Sequence, residues 1–87
     1  MERYSVEIKV SAIGELEGIG PKGDRQRLAR RIRALSTQPR PPGCQKVAGG
    51  EERYRIRQGR YRVVYAIDDA EHLVTVFRIG DRKDVYR

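Results

Sequence analysis

The sequence contains little cysteine, histidine or bulky aromatic residue. Its 87 residues include one cysteine, one histidine, one phenylalanine and no tryptophan. A single cysteine excludes an intramolecular disulfide, which fits a reducing compartment. His72 has no second histidine or cysteine at ligand spacing, and no Ser-His-Asp arrangement can be assembled around it. We therefore expect no metal centre and no cofactor.

Long apolar runs are also absent. No run approaches the ~18 residues that a membrane-spanning helix needs, and the N-terminal residues lack the apolar segment of a signal peptide. These absences predict a cytoplasmic protein without a membrane partner.

The chain has an excess of positive charge. The formal net charge is +7 over 87 residues, a length that predicts one domain spanning residues 1–87. The excess is local, because Lys22 to Arg33 holds six basic residues and one acid, and Arg53 to Arg62 holds five arginines and no acid. A balance this basic favours a polyanionic partner.

The N-terminal half predicts one strand and two helices. Residues 4–10 alternate apolar and polar side chains, as a half-buried strand does. A short helix follows, with Ser11 as its expected cap and one apolar face. A second helix is predicted over residues 24–35, because its apolar residues recur at helical spacing. The apolar face of the first helix holds Ile13, Leu16 and Ile19, and the stripe of the second holds Leu28, Ile32 and Leu35.

The C-terminal half predicts an antiparallel meander. Apolar residues alternate over 54–56 and 61–67, and a third run covers residues 73–79 before Gly80. Gln58-Gly59 is the expected hairpin turn. The helical stripe must be buried, and the sheet offers the only other apolar face. The fold class is therefore α+β, an antiparallel sheet of about four strands with an N-terminal helical hairpin, in the order β-α-α-β-β-β.

Arginines alternate with core residues in the first two meander strands. Because side chains alternate across a sheet, Arg53, Arg55 and Arg57 should share one face, and Arg62 should join them from the next strand. Guanidinium groups on one face repel each other unless an anion lies among them, and their planar fork suits phosphate oxygens. The alternative is a solvated strand face.

Two further basic segments are candidate RNA contacts. Arg27, Arg30 and Arg31 on the second helix could hold phosphates of the backbone, unless they form only a solvated helix surface. Near the C-terminus, Tyr86 could stack on an unpaired base while Arg82 holds a phosphate. The alternative for that segment is a frayed polar tail.

Three segments together resemble a known family. Residues 54–65 resemble the central hairpin of RelE-type toxins of the RelE/ParE toxin–antitoxin superfamily. Residues 35–47 are similar to that family's connection from helix to sheet, and residues 79–86 to its closing motif. The resemblance covers nearly the whole chain and implies a compact sheet flanked by an N-terminal helical hairpin.

The resemblance also implies an activity, a site and partners. The activity is metal-independent, ribosome-dependent cleavage of A-site mRNA codons, which leaves a 2′,3′-cyclic phosphate and a 5′-hydroxyl and inhibits translation. Arg55 and Arg57 match the family's basic strand residues, Arg62 its transition-state arginine, Arg82 its general acid and Tyr86 its base-stacking tyrosine. The implied partners are the ribosome with its mRNA and a cognate antitoxin encoded alongside, which we expect to be acidic.

Some family members carry lysines where this chain has Arg55 and Arg57. A lysine can be tuned to act as a base, whereas a guanidinium keeps its proton. Tyr86, or alignment of the 2′-hydroxyl by the ribosome, is therefore the alternative to a general base at Arg57.

Two other functions use the same fold or the same charge. ParE-type members of the superfamily inhibit DNA gyrase, and a non-catalytic RNA-binding module could use the same basic face. The combination of Arg62, Arg82 and Tyr86 favours the nuclease.

Overall fold

The chain folds into one mixed sheet with two helices, as the α+β class predicts. The computed structural model describes residues 3–47 and 52–81. Its elements are β1 (Ser5–Ile8), α1 (Val10–Glu17), α2 (Lys22–Ala34), β2 (Gln45–Lys46), β3 (Arg53–Gln58), β4 (Tyr61–Asp68) and β5 (Leu73–Asp81). Within these described residues, no helix is long and apolar enough to cross a membrane.

The sheet has five strands in the order β1-β5-β4-β3-β2, one more than predicted. The extra strand is β2, a pair of residues that lie antiparallel to β3. The meander β3-β4-β5 is antiparallel as expected. The expectation of a purely antiparallel sheet was wrong for β1, which runs parallel to β5. Both helices and three strands separate these two in the chain, and a parallel pair needs such a long crossover.

One face of the sheet and the stripe of α2 form the core. Leu28, Ile32 and Leu35 are almost completely buried, as the helical spacing predicts. They belong to one cluster with buried residues of β3, β4 and β5: Tyr54, Ile56, Tyr61, Val63, Tyr65, Ile67, Val74, Val76 and Ile79. The Tyr65 hydroxyl donates to the Pro39 carbonyl oxygen at 2.8 Å, so this buried polar group is satisfied.

Of the apolar face predicted for the first helix, Leu16 packs against the core and Ile19 is buried, but Ala12 takes the place of Ile13. The helix begins at Val10, with Lys9 at the N-cap position and no side-chain cap, so Ser11 does not cap it. Ala12 is fully buried, whereas Ile13 is 39% exposed. The small Ala12 side chain lets α1 lie close to β5, and this contact outweighs the burial of the larger Ile13.

Two boundaries of the meander differ from the prediction by one residue. Gln58 pairs with Tyr61, so the hairpin loop is Gly59-Arg60 and not Gln58-Gly59. Gly59 takes a φ of 61°, a left-handed value that glycine adopts without strain. β5 continues to Asp81 and does not end at Gly80.

A β-bulge in β5 changes which residues face the core. Tyr65 pairs with Val76 but Val64 pairs with Arg78, so Phe77 is the extra residue. A bulge adds one residue to one strand and breaks the strict alternation of faces. The buried positions of β5 are therefore Val74, Val76 and Ile79, spaced by two and then by three.

We predict that two isoleucine truncations will differ strongly in their effect on stability. Ile32→Ala removes a side chain that is 2% exposed, and it should lower the free energy of unfolding by about 2–5 kcal/mol. Ile13→Ala makes the same chemical change on an exposed helix face and should shift stability by no more than about 0.5 kcal/mol. Chemical denaturation of both variants measures the difference. Equal losses would contradict the observed exposure of Ile13.

Candidate functional site

The face of the sheet opposite α2 carries the arginines of β3 and β4. Arg53, Arg55 and Arg57 alternate with the buried Tyr54 and Ile56, as the strand pattern predicts. Arg57 pairs directly with Arg62 across the hairpin. The face therefore holds two guanidinium side chains on neighbouring strands at the hairpin end of the sheet.

These two arginines border a cleft at the outer edge of β3. Because β2 pairs only with Tyr54 and Arg55, the rest of this edge has no strand partner within the described part of the chain. The cleft has a volume of about 360 Å³ and is lined by Arg31, Pro42, Gly43, Gln45, Arg55, Ile56, Arg57 and Arg62. Four guanidinium groups thus converge there, and the lining residues, drawn from the described ranges, include no carboxylate.

Gln45 positions Arg55 at the rim of the cleft. The two residues are partners in the β2–β3 pairing, and Arg55 Nε donates to Gln45 Oε1 at 2.9 Å. Arg55 Nη2 also donates to this oxygen. The side-chain amide has no charge, so it orients the guanidinium group without neutralising it.

Arg53 belongs to the same face but not to the cleft. Its guanidinium lies over the Phe77 ring, 4.5 Å from the ring centroid, and Lys9 Nζ lies 5.0 Å from the same centroid. Arg78, opposite Val64, also lies on this face. Strict alternation along β5 does not predict this position, because the bulge at Phe77 shifts the residues after it to the other face. Glu15 Oε2 accepts from Arg78 Nε at 3.2 Å, which directs Arg78 toward α1.

The three helix arginines occupy different places. Arg31 lines the cleft, and its Nη2 lies 3.5 Å from the Arg57 carbonyl oxygen. Arg27 pairs with Asp24 at 2.7 Å. Together with Ala34 and Gln58, the three helix arginines line a second groove of about 300 Å³. Arg30 contributes only to this groove, not to the cleft.

Two predicted site residues, Arg82 and Tyr86, lie outside the described residues. The described part of β5 ends at Asp81, and Gly80 is the cross-strand partner of Arg62. The structure therefore tests the placement of the sheet and helix arginines only.

A polar network fixes the loop that forms one wall of the cleft. Arg40, shortly before Pro42 and Gly43, donates from Nη2 to Asp69 Oδ2 at 2.9 Å and from Nε to the Tyr54 hydroxyl at 3.2 Å. The Tyr4 hydroxyl donates to Asp69 Oδ1 at 2.6 Å. Asp69, in the turn between β4 and β5, thus joins this loop to the N-terminal segment. The Arg40 hydrogen bond, with that of Tyr4, lowers the pKa of Asp69.

The single histidine lies at the far end of the sheet from the cleft. His72 follows the β4–β5 turn with a φ of 50°, and its ring meets the Tyr4 ring edge-on at 5.1 Å. In residues 3–47 and 52–81, no three His, Cys, Asp or Glu side chains are grouped so that they could hold a metal ion.

Comparison with known proteins identifies the family. A family model described as the ParE toxin of type II toxin–antitoxin systems matches residues 6–86. The chain belongs to this toxin family. A Methanocaldococcus jannaschii protein that bears the name toxin RelE1 is 25% identical over 88 residues, which is 98% of this chain and 97% of the relative.

Two solved complexes show the same fold as this toxin. The RelE chain in the archaeal RelE–RelB complex of Pyrococcus horikoshii superposes with a TM-score of 0.83 and 25% identity, covering 95% of this chain and 99% of that one. The E. coli RelBE complex gives a TM-score of 0.76 and 25% identity, covering 90% and 95%. With these relatives, the chain is a RelE-type toxin of the type II class, as the sequence motifs predicted.

We predict that the loop network stabilises this toxin only while Asp69 is ionised. The folded-state pKa of Asp69 is lowered, so its contribution is complete above the ordinary aspartate pKa of about 3.9 and is lost as the pH falls through the folded value. Asp69→Asn should lower Tm by a few degrees at neutral pH, and the difference from the native protein should vanish in acid.

Asp68→Asn is the matched control for this prediction. Asp68 Oδ1 accepts from the Glu71 amide at 3.0 Å, and an asparagine oxygen can accept the same bond. Its Tm should stay close to that of the native protein across the pH series. A difference for Asp69→Asn that persists in acid would contradict the role assigned to the carboxylate.

Proposed function

We propose that this toxin is a metal-independent endoribonuclease that cleaves mRNA in the ribosomal A site. The observation that carries the proposal is the cleft in which Arg57 and Arg62 face each other across the β3–β4 hairpin, with Arg55 and Arg31 beside them. Planar guanidinium groups bind phosphate oxygens in a bidentate manner. The cleft therefore suits an RNA phosphate better than a neutral ligand.

The reaction is an attack of a ribose 2′-hydroxyl oxygen on the adjacent phosphorus. The 2′-oxygen–phosphorus bond forms, the bond to the 5′-oxygen breaks, and the products are a 2′,3′-cyclic phosphate and a 5′-hydroxyl. Negative charge builds up on the non-bridging oxygens in the transition state. Arg57 and Arg62 would stabilise that charge in place, because fixed donors need no rearrangement as it develops.

Two proton transfers complete the reaction. The 5′-oxygen must gain a proton, a role that the family resemblance gives to Arg82. The 2′-hydroxyl must lose one, and Arg57 is a poor acceptor because a guanidinium keeps its proton. Tyr86, or alignment of the 2′-hydroxyl by the ribosome, would supply this step. A site so weak in acid–base groups depends on a partner that orients its substrate.

The same family relation supports a protein partner. The solved relatives include RelE–RelB toxin–antitoxin complexes. We propose that a cognate antitoxin binds this chain and that the antitoxin is acidic, because it must complement a net charge of +7. Complementary charge would raise the rate of encounter between the two proteins.

Inhibition of DNA gyrase is the second candidate function. It is favoured by one finding, the match of residues 6–86 to a family model named for ParE toxins. The converging arginines of the cleft favour the nuclease instead. Mapping of mRNA ends and of gyrase–DNA adducts in the same expressing cells separates the two, since only one product should accumulate.

We predict that cleavage requires the ribosome. The purified toxin should cut mRNA on programmed ribosomes and leave the same RNA almost intact in free solution, because the cleft lining drawn from residues 3–47 and 52–81 includes no histidine or lysine that could serve as a base. Gel analysis of 5′-labelled mRNA with and without ribosomes is the measurement. Rapid cleavage of naked RNA at low toxin concentration would contradict the prediction.

We predict that replacing Arg62 will slow the cleavage step without unfolding the protein. Arg62→Ala should lower the single-turnover cleavage rate at saturating ribosome by about a hundredfold or more, as removal of a transition-state donor does. The variant should stay folded, because Arg62 lies on the face of the sheet opposite the buried core.

Two controls define that result. Arg33→Ala removes the same charge from an exposed position on α2 and should keep the native rate. Tyr61→Ala truncates the buried neighbour of Arg62 and should cost about 3–5 kcal/mol of stability. A folded Arg62→Ala variant that cleaves at the native rate would refute the proposed mechanism and favour gyrase inhibition or simple RNA binding.

A further inference from the structure

Arg31 differs from the other arginines of α2 because it lines two adjacent depressions. It forms part of the sheet cleft with Arg55, Arg57 and Arg62, and it also lines the second groove with Arg27 and Arg30. Gln58, at the end of β3, lies in that second groove. The two depressions therefore adjoin at Arg31, beside the outer edge of β3.

The buried stripe of α2 holds Arg31 in this place. Leu28 and Ile32, three residues before it and one after it, are packed in the core. The backbone of Arg31 is thus held in a fixed position relative to the sheet, and the residue is partly buried. Arg33, on the same helix, is exposed and lines neither depression.

The guanidinium group of Arg31 has few hydrogen-bond acceptors around it in the described structure. Its Nε is buried and has no hydrogen-bond partner in the described structure. Its Nη2 has only the 3.5 Å contact to the Arg57 carbonyl oxygen, which is at the outer limit of a hydrogen bond. Arg27, by contrast, has Asp24 at 2.7 Å. A guanidinium group with so few acceptors within the protein keeps its exposed Nη donors for an anion in the cleft.

We propose that Arg31 binds an RNA phosphate adjoining the one that is cut. Arg57 and Arg62 hold the reacting phosphate, and Arg31 holds its neighbour through the exposed Nη end of its guanidinium group, where the cleft and the second groove adjoin. The backbone would leave the cleft past Gln58 toward Arg27 and Arg30. The identity of the anion as RNA rests on the proposed function, but the phosphate site itself rests on the geometry of Arg31.

Inorganic phosphate tests the site directly. The Nε–H resonances of the native toxin are followed by NMR during titration with sodium phosphate, with ionic strength held constant by sodium chloride. The Arg31 signal, assigned through its loss in Arg31→Lys, should shift saturably on the same binding curve as those of Arg57 and Arg62. The Arg33 signal should stay still. An Arg31 signal that does not move overturns the inference. The titration is carried out on the native toxin, so its result does not depend on the stability of a variant.

Affinity measurements give the second arm. Arg31→Gln should weaken phosphate binding by about tenfold or more, the effect of losing a hydrogen bond to a charged group. It should also raise the ribosome concentration for half-maximal cleavage by about tenfold while the rate at saturation changes little, since binding to a non-reacting phosphate is uniform. Arg33→Gln should change neither quantity.

The outcomes separate the inference from the proposed function. A native toxin that cleaves mRNA, with Arg31→Gln matching it in phosphate affinity and half-saturation, overturns the role of Arg31 and leaves the nuclease intact. A native toxin that never cleaves, with phosphate binding that is lost in Arg31→Gln, refutes the nuclease and supports the anion site.

Discussion

Packing of the α2 stripe against one face of the sheet is the constraint on which the site depends. Leu28, Ile32 and Leu35 lie against the buried residues of the meander, among them Ile56 and Val63. Once these positions face inward, the alternation of β-strand side chains turns Arg55, Arg57 and Arg62 outward. The same packing brings Arg31 to the edge of β3. A small domain has a thin stability margin, so its core and its arginine cluster rest on the same few apolar contacts.

The shortness of β2 is a second determinant. A longer β2 would pair with the full outer edge of β3 and close the region where the cleft now lies. Because β2 begins only at Gln45, the partner of Arg55, the edge beyond Arg55 is left to Arg31 and to the loop with Pro42 and Gly43. Exposed strand edges invite pairing with other chains. Here the crowded guanidinium groups beside the edge oppose such pairing, since charged side chains on an edge disfavour it.

Charge is distributed unevenly over the molecule. The cleft end of the sheet holds arginines without nearby carboxylates among the lining residues, whereas Glu52, Asp68 and Asp69 gather at the opposite end, where Arg40 bridges two of them. The acidic end fixes the loop through Arg40. The cleft end holds the arginines that, under the proposed function, attract a polyanionic substrate.

The sequence by itself was sufficient for the α+β class, the meander, the α2 stripe and the outward face of Arg55, Arg57 and Arg62. Each of these follows from local periodicity, which depends only on the regular geometry of helices and strands. The family motifs added the toxin class. Tertiary structure alone decided the parallel pairing of β1 with β5, the burial of Ala12 in place of Ile13, the bulge at Phe77 and the position of Arg31 in the cleft. These depend on contacts between residues far apart in the chain, as in the meeting of Arg31 with Arg57, and no local pattern encodes such distances.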